Sequence, residues 1–446
     1  MDCLRIAGGS PLQGIVTASG SKNAALPIMA ATILADGRTV LASVPDLVDV
    51  NTLALLLGFL GVEVKRHPDA TLHIETVDPR PTKADYDLVR RMRASFCVLG
   101  PLVARRGRGV VSLPGGCNIG TRPVDLHLAA LAALGAEIRI EGGYVIAEAR
   151  RLRGARINLR GPCGPTVTGT ANAMSAATLA RGRTTLVGAA QEPEIVDLGN
   201  FLIALGARID GLGTDTIEID GVERLSGTAY QIIPDRIETG TLLIATAAAG
   251  GEVTIEGIDP SHLTAVMEAL QATGALVTLG PRQVSLRAQE RPRPTNVTAL
   301  PYPGIPTDLQ AQFMALLSLA DGESQICDLV FPDRFMQVAE LNRLGARIER
   351  RGATAIVTGV PRLSGATVMA SDLRASAALV VAGLAAERET IVRRVYHLDR
   401  GYEQLERKLR NLGAQITREP DIQAAGSPNA AVRSTAPTAR FQGVPR

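Results

Sequence analysis

A single cysteine, Cys117, stands in the glycine-rich segment SLPGGCNIGTR, five residues before Arg122. Three glycines and a proline predict a mobile loop that exposes the thiol. A neighbouring guanidinium group lowers the pKa of a cysteine, so Cys117 is a candidate proton donor or nucleophile. The alternative interpretation is a small buried residue in a turn.

The segment GSKNAALP places Lys22 and Asn23 at the start of an alanine-rich helix. The helix macrodipole disfavours a lysine at this end of a helix. One interpretation is a surface lysine whose ammonium group reaches water. The other, which the apolar helix favours, is a phosphate site where backbone amides and the ammonium group meet one anion.

Five arginines stand in loops or at helix starts in different parts of the chain. Any one of the 47 lysines and arginines is by default a solvated charge. These five occupy equivalent joints of a repeated sequence, which predicts that several guanidinium groups converge on a phosphate and a carboxylate. They are Arg93, Arg122, Arg334, Arg374 and Arg400.

Four carboxylates begin or precede predicted helices. Asp308 in PTDLQAQF and Asp372 in SDLRAS are each either a helix N-cap or a functional group. Glu192 and Glu194 in QEPEIVD are interpreted as acidic residues that favour the first turn of a helix.

The elements that position these residues repeat along the chain. A helix-ending signature recurs with spacings of 74, 71, 68, 71 and 68 residues, at Gly61, Gly135, Gly206, Gly274, Gly345 and Gly413. Each copy predicts an amphipathic helix that ends at glycine and continues into a strand. A helix that is apolar nearly all round, and therefore buried, precedes each copy. Each unit is predicted to contain a buried helix, a strand, an exposed helix and two strands.

Six such units exceed one hydrophobic core, so two domains of three units are predicted. The turn-rich segment from Ile232 to Thr241 is the predicted boundary, and the N-terminal strand, Cys3 to Gly20, is expected to complete the second domain. The predicted domains are residues 1–20 with 235–419, and residues 21–234. Residues 420–446 lack periodicity and are predicted to be a disordered tail.

Composition excludes several classes of protein. A net charge of +3 without tryptophan or a basic run argues against a nucleic-acid partner. The apolar runs are too short for a membrane span. Five scattered cysteines without a signal peptide predict reduced thiols in the cytoplasm. Five histidines without an HExxH motif argue against a metal site, and no organic cofactor is implied.

Eight motifs together resemble the enolpyruvyl transferases, from the N-terminus to about residue 418. They are GSKNAALP, MRAS, LPGGCNIGTRPVDLHL, EPEIVDLGNFL, PDRIETGT, PTDLQAQF, DLRASAAL and YHLDRGYE. The resemblance implies an EPSP synthase-like fold, a two-domain inside-out α/β barrel of six βαβαββ repeats. It also implies transfer of the enolpyruvyl group of phosphoenolpyruvate to a sugar hydroxyl, through a tetrahedral phospho-ketal that releases phosphate. The shikimate-pathway members lack the loop cysteine, so Cys117 argues against that branch.

The resemblance also implies roles for single residues. Cys117 protonates phosphoenolpyruvate or forms a covalent adduct with it, and Asp308 is the base. Lys22, Arg122 and Arg400 hold the phosphate. Arg334 and Arg374 hold the carboxylate with Asp372 beside them, and Arg93 contributes to both substrates. The remaining acceptor residues are Asn23, Arg122, Pro123, Val124, Asp125, Leu126, His127, Thr166, Val167, Thr168, Asp308 and Val330.

Two departures from the family pattern bear on the acceptor. A lysine usual in the family is Val48 in PDLVDV, and the segment before Thr166 is RGPCGP, without a lysine. Two acceptors therefore remain open: UDP-N-acetylglucosamine, as in peptidoglycan synthesis, and the 3′-hydroxyl of UMP, as in nikkomycin- or polyoxin-type antibiotic pathways. A non-catalytic binding protein on the same fold is disfavoured because the residues assigned to the chemistry are present.

Overall fold

The computed structural model describes residues 2–114 and 124–421. Within these ranges the α-helices are α1 Lys22–Ala31, α2 Val48–Phe59, α3 Tyr86–Val89, α4 Leu99–Arg106, α5 Asp125–Ala133, α6 Val167–Ala177, α7 Pro193–Ala204, α8 Arg236–Ala249, α9 Thr264–Ala272, α10 Gln310–Leu317, α11 Gln337–Arg343, α12 Leu373–Ala385 and α13 Leu405–Asn411. Short 3₁₀ helices span Thr32–Leu34, Arg93–Val98, Pro260–Leu263, Thr307–Leu309 and Val395–Arg400. None of the helices in these ranges has the length and apolar character needed to cross a membrane.

The strands alternate with these helices. In the first half of the chain they are β1 Asp2–Ala7, β2 Leu12–Thr17, β3 Ala35–Asp36, β4 Thr39–Ala42, β5 Val62–Arg66, β6 Leu72–Thr76, β7 Lys83–Ala84, β8 Arg108–Ser112, β9 Glu137–Glu141, β10 Tyr144–Glu148, β11 Arg156–Asn158, β12 Arg160–Gly161, β13 Gly164–Pro165, β14 Arg183–Val187, β15 Arg208–Asp210, β16 Thr216–Asp220, β17 Leu225–Ser226 and β18 Ala229–Gln231. In the second half they are β19 Gly251–Glu256, β20 Leu276–Gly280, β21 Gln283–Ala288, β22 Val297–Ala299, β23 Glu323–Asp328, β24 Arg347–Arg351, β25 Thr354–Thr358, β26 Thr367–Met369, β27 Glu389–Arg393 and β28 Gln415–Pro420.

Six helices are buried along most of their length, as their composition predicts: α1, α4, α6, α8, α10 and α12. Small and apolar side chains cover most faces of these helices, so burying them removes apolar surface from water on several sides. The outer helices α2, α5, α7, α9, α11 and α13 each end just before the predicted glycine. Those six glycines have φ between +75° and +109°, a left-handed conformation that glycine adopts without steric cost.

The sheets show the repeat directly. The described strands form six four-stranded sheets, each with one parallel and two antiparallel pairings. In the second unit, for example, the chain runs β7, the short helix α3, then α4, β8, α5, β9 and β10, and the sheet order is β7-β8-β10-β9. This is the βαβαββ pattern implied by the resemblance.

The N-terminal segment contains two strands in two different sheets, where the sequence predicted a single strand from Cys3 to Gly20. β1 lies between β27 and β28, and β2 pairs in parallel with β19. Gly9 has φ +85°, so the segment breaks between the two strands. β18 likewise pairs in parallel with β4 of the first unit. Chain segments distant in sequence therefore complete three of the six sheets.

The buried apolar side chains form two clusters. One runs from Ala24 to Ile232, and the other combines Leu4, Ile6, Leu12 and Val16 with residues from Ile237 to Ile416. The chain passes from one cluster to the other twice, near Ser21 and near Ile233. These two connections lie side by side, because Ser21 N donates to Ile233 O at 2.7 Å. The domain boundaries remain a prediction, and the separation into two clusters supports them.

Two boundary predictions differ from the structure. Residue 420, assigned to the disordered tail, is the last residue of β28, because it pairs with Asp2 of β1. Residues 422–446, the rest of that tail, lie outside the described residues. Residues 236–241 of the turn-rich boundary segment form the first turns of α8, because Asp235 accepts hydrogen bonds from the Ile237 and Glu238 amides.

A buried ion pair joins the two clusters. Glu194, in the first turn of α7, accepts two hydrogen bonds from Arg236, the first residue of α8, at 2.9 and 3.1 Å. Both side chains are almost fully buried. The interpretation of Glu194 as a first-turn acid alone was therefore incomplete, since its partner lies 42 positions away.

Replacing Arg236 by methionine is expected to lower the free energy of unfolding by about 3–5 kcal/mol, because Glu194 would remain as an unpaired buried charge. Urea denaturation measures the change. The matched control is Arg183→Met, which breaks a bidentate pair with Asp220 whose side chains are about half exposed, and a much smaller change is expected there. The double variant Glu194→Gln, Arg236→Met should recover part of the loss. Equal losses for Arg236→Met and Arg183→Met would contradict the prediction.

Candidate active site

Lys22 and Arg400 meet at one carboxylate, that of Asp49 on α2. Lys22 Nζ lies 3.3 Å from Asp49 Oδ2, and Arg400 Nε donates to Asp49 Oδ1 at 2.9 Å. Lys22 and Asp49 belong to the first cluster's part of the chain, whereas Arg400 follows β27. Asp49 thus brings together two of the cations that the sequence assigned to one phosphate.

Lys22 is the first residue of α1 and is buried, so the surface-lysine interpretation is wrong. Ser21 caps the helix, and the Lys22 amide points to Asp235 Oδ2 at 3.4 Å. Burial lowers the pKa of Lys22, and the Asp49 carboxylate opposes that shift. A buried ammonium group of this kind attracts an anion strongly because little water screens it.

Asp308 is the centre of a second group of charges. It lies in the 3₁₀ turn before α10, and it caps neither this turn nor the helix, so the N-cap interpretation is wrong. Arg334 Nη1 donates to Asp308 Oδ1 at 2.8 Å, and Arg374 Nη2 donates to Oδ2 at 3.0 Å. The Asn23 amide, from the other cluster's part of the chain, lies 3.4 Å from Oδ2.

These two arginines determine the charge of Asp308. Burial alone would raise the pKa of this carboxyl, but the guanidinium groups of Arg374 and Arg334 hold it well below its usual range. The carboxylate is therefore ionised at neutral pH. Both arginines are themselves buried, so the ion pairs are poorly screened by solvent.

A further carboxylate, Asp328, organises the loop that carries Arg334. Asp328 is fully buried at the end of β23 and accepts hydrogen bonds from the Val330 and Phe331 amides at 3.0 and 2.7 Å. Thr307 donates to its other oxygen at 2.6 Å and accepts from Arg334 at 3.1 Å. Val330, a predicted acceptor residue, therefore lies in a loop that Asp328 ties to the Asp308 turn.

Asp372 is the N-cap of α12. Its Oδ1 accepts from the amides of Arg374 and Ala375 at 2.8 and 3.1 Å. The capping alternative for this residue is thus correct, and the cap fixes the start of the helix that carries Arg374.

The predicted nucleotide residues lie on neighbouring helix starts. Val124 precedes α5, and Asp125, Leu126 and His127 form its first turn. Thr166 caps α6, whose first residues are Val167 and Thr168. The two starts meet where His127 Nε2 lies 3.1 Å from Thr168 Oγ1, and His127 Nδ1 lies 3.0 Å from Asn172 Nδ2. Arg93 is half-buried at the start of its 3₁₀ helix.

The segment RGPCGP forms the β12–β13 hairpin beside these residues. A Cβ on Gly161 would lie 3.2 Å from Leu126 Cδ1, and one on Gly164 would lie 2.9 Å from Pro301 Cγ. Glycine at both positions therefore lets the hairpin backbone lie close to Leu126 and to Pro301. Three predicted site residues, Cys117, Arg122 and Pro123, lie in residues 115–123, outside the described part of the chain.

Sequence reasoning missed Asp49 and Asp328. Asp49 lies in the first turn of α2 and Asp328 at the end of a strand, where acidic residues are common for other reasons. The partners of Asp49 are Lys22 and Arg400, which lie 27 and 351 positions away in the sequence. Thr307, a partner of Asp328, lies 21 positions away. Asp49 directly follows Val48, the departure from the family pattern described above, and this was the one signal in the sequence that could have indicated Asp49.

Comparison with known proteins identifies the family of this chain. Residues 6–429 match the family described as EPSP synthase (3-phosphoshikimate 1-carboxyvinyltransferase). A UDP-N-acetylglucosamine 1-carboxyvinyltransferase of Anaeromyxobacter sp. (strain K) is 54% identical over 422 residues, which cover 94% of this chain and 99% of that protein.

Two solved structures share the fold along the chain. The enolpyruvyl transferase NikO from Streptomyces tendae is 28% identical with a TM-score of 0.84, over 94% of this chain and 99% of that one. An EPSP synthase from Acinetobacter baumannii has a TM-score of 0.72 at 18% identity, over 94% of this chain and 100% of that one. The predicted fold and enzyme class are thereby confirmed. The chain belongs to the EPSP synthase family and is an enolpyruvyl transferase.

Proposed function

We propose that this enzyme transfers the enolpyruvyl group of phosphoenolpyruvate to the 3-hydroxyl of UDP-N-acetylglucosamine. The observation that carries the proposal is the ionised Asp308 carboxylate, held between Arg334 and Arg374 and facing Asn23. As the base, Asp308 would lie between two buried arginines and Asn23, which belongs to the other cluster's part of the chain. The 54% identity to a UDP-N-acetylglucosamine 1-carboxyvinyltransferase supports the choice of acceptor.

The first step is an addition. Asp308 takes the proton of the acceptor hydroxyl as its oxygen bonds to the central carbon of phosphoenolpyruvate. Cys117 donates a proton to the methylene carbon, which becomes a methyl group. The product is a tetrahedral phospho-ketal that keeps the phosphate and carboxylate charges of phosphoenolpyruvate, and fixed cations around it stabilise these charges.

The second step is an elimination. Asp308 releases the hydroxyl proton, which the departing phosphate takes up, and then removes a proton from the methyl group. This second proton returns to the Cys117 thiolate, so that both residues are restored. The electron pair forms the carbon–carbon double bond, and the bond from the central carbon to the phosphate oxygen breaks. The products are an enol ether and inorganic phosphate, so no oxidant, reductant or metal enters the balance.

The described cations fit the two anionic ends of phosphoenolpyruvate. Lys22 and Arg400, together with Arg122, hold the phosphate, while Arg334 and Arg374 hold the carboxylate. Guanidinium groups bind such anions through paired, charge-assisted hydrogen bonds. Asp372 contributes by capping the helix of Arg374. The uridine lies against the starts of α5 and α6. The cytoplasmic location expected from the cysteines stays a prediction.

A second acceptor, UMP, is favoured by two features of the site. Val48 is 49% exposed at the start of α2, directly before Asp49, where the family usually has a lysine. The β12–β13 hairpin likewise carries no lysine beside Leu126. A nucleotide with one phosphate fewer needs fewer cations. The similarity in structure to NikO, at a TM-score of 0.84, is compatible with either acceptor.

Phosphate release from phosphoenolpyruvate with each acceptor distinguishes the two. We expect kcat/KM for UDP-N-acetylglucosamine to exceed that for UMP by about a hundredfold or more, the discrimination that a few lost polar contacts produce. The purified wild-type enzyme and its Asp308→Asn variant are assayed in parallel, so that background hydrolysis is subtracted. Turnover with UMP and none with the UDP-sugar would contradict the proposed acceptor.

A further inference from the structure

Behind the Asp308 pair lies a buried cluster of three polar side chains from three elements. Thr241 lies on α8, Gln312 on α10, and Tyr402 between the last 3₁₀ helix and α13. The Tyr402 hydroxyl lies 2.9 Å from Thr241 Oγ1 and accepts from Gln312 Nε2 at 3.0 Å. Gln312 Nε2 also lies 2.9 Å from the backbone oxygen of Asp308. All three side chains are nearly inaccessible to solvent.

The ring of Tyr402 lies against Arg374. The guanidinium carbon is 5.0 Å from the ring centroid, a distance at which a cation is attracted to the face of an aromatic ring. Among the described residues, Arg374 Nε and Nη1 are buried without a hydrogen-bond partner, and Nη2 donates to Asp308. The bond to Asp308 is therefore the one hydrogen bond that the described residues give to the side-chain guanidinium group. The ring supplies the second constraint.

The cluster therefore acts on both members of the Asp308–Arg374 pair. It reaches Asp308 through Gln312 and reaches Arg374 through the ring of Tyr402. The ring is itself fixed, because its hydroxyl is held from α8 and α10.

We propose that Tyr402 is a positioning residue, whose anchored ring orients the Arg374 guanidinium group toward the carboxylate of phosphoenolpyruvate and toward Asp308. This inference rests on the proposed function, and it adds a residue that contacts neither substrate in that proposal. Thr241 and Gln312 support it by holding the hydroxyl.

Two variants separate the ring from the hydroxyl. Tyr402→Leu removes the ring, and Tyr402→Phe keeps the ring and loses only the hydroxyl. For Tyr402→Leu we expect the KM for phosphoenolpyruvate to rise about tenfold, the effect of loosening one charge-assisted hydrogen bond. The KM for the acceptor should stay within twofold, and Tyr402→Phe should recover most of the loss. The control is Tyr396→Leu, at a tyrosine that is 44% exposed, where neither KM should change.

A second measurement needs no substrate. The ¹³C resonance of the Asp308 carboxyl carbon, assigned by its absence in Asp308→Asn, reports the ionisation of this group. The charged and titratable groups that act on or face Asp308 are Arg334, Arg374, Lys22, Arg236 and Tyr402. In the wild type the resonance should still be at its carboxylate position at the pH where an ordinary aspartate, with a pKa of about 3.9, is half protonated. In Tyr402→Leu it should begin to move at higher pH, because Arg374 no longer holds the carboxylate in place.

These readouts assign failure to one claim at a time. A proportional rise of both KM values, a Phe variant no better than the Leu variant, or an unchanged Asp308 titration in Tyr402→Leu would overturn the role of Tyr402. A wild type without turnover on either acceptor would overturn the proposed function, and the titration would still decide whether Tyr402 positions the Asp308–Arg374 pair.

Discussion

Asp308→Asn is expected to lower kcat by about three orders of magnitude, within the range that a positioned general base contributes. Asparagine preserves the shape of the side chain and can still accept a hydrogen bond from Arg334 or Arg374, but it cannot take the acceptor's proton. Because these arginines keep the pKa of Asp308 well below its usual range, the wild-type carboxylate is ionised at neutral pH.

The measurement is steady-state phosphate release by the purified variant. Its matched control is Asp333→Asn, which lies next to Arg334 in the loop after β23 but is 74% exposed at its side chain and paired with Arg350 on the surface. The control should retain activity within twofold, since a surface ion pair contributes little. If Asp308→Asn kept more than a tenth of the wild-type kcat, Asp308 would not be the base.

Cys117→Asp is expected to retain turnover within about a hundredfold of the wild type while losing all inactivation by fosfomycin. A carboxylic acid can donate the proton that the addition requires. It attacks an epoxide poorly, whereas a thiolate is a strong nucleophile. Steady-state phosphate release measures the retained turnover. Time-dependent inactivation, together with the mass of the modified protein, measures the reaction with fosfomycin.

The described cysteines explain why a single adduct is expected. Cys97 is buried, and burial raises the pKa of its thiol to about 12. Burial also raises the pKa of Cys3. Cys163 is exposed, so Cys163→Ala is the control, and fosfomycin should still inactivate it. Equal inactivation of wild type and Cys117→Asp would show that the inhibitor acts elsewhere.

The repeat and its buried helices could be predicted from the sequence because their signals are local. An alanine- and leucine-rich helix has no polar face, and a helix stopped by glycine needs only a few consecutive residues to be recognised. All six glycines in fact adopt the left-handed conformation. The strand contributions of β1, β2 and β18 could be predicted only coarsely, because their partners lie in other units.

For the site, motifs identified most of the side chains but not the pairs they form. Lys22 and Arg400 were assigned to one phosphate and Asp308 was named as the base, but no carboxylate partner was foreseen for the two cations. Asp49 joins Lys22 to Arg400 through its contact with Arg400, which lies 351 positions away in the sequence. No local sequence pattern indicates such a contact. The same holds for Tyr402 and its partner Thr241, 161 positions away.

The sequence by itself determined the family, the repeat and the residue types available for chemistry, because periodicity and motifs are properties of neighbouring residues. Only the tertiary structure decided which charges meet. It placed Asp308 between two buried arginines, so that its charge depends on their fields rather than on its own intrinsic pKa. It also showed that Asp372 caps a helix, whereas Asp308, in a similar sequence context, does not. Electrostatic and packing interactions act through space, and folding alone brings these distant positions together.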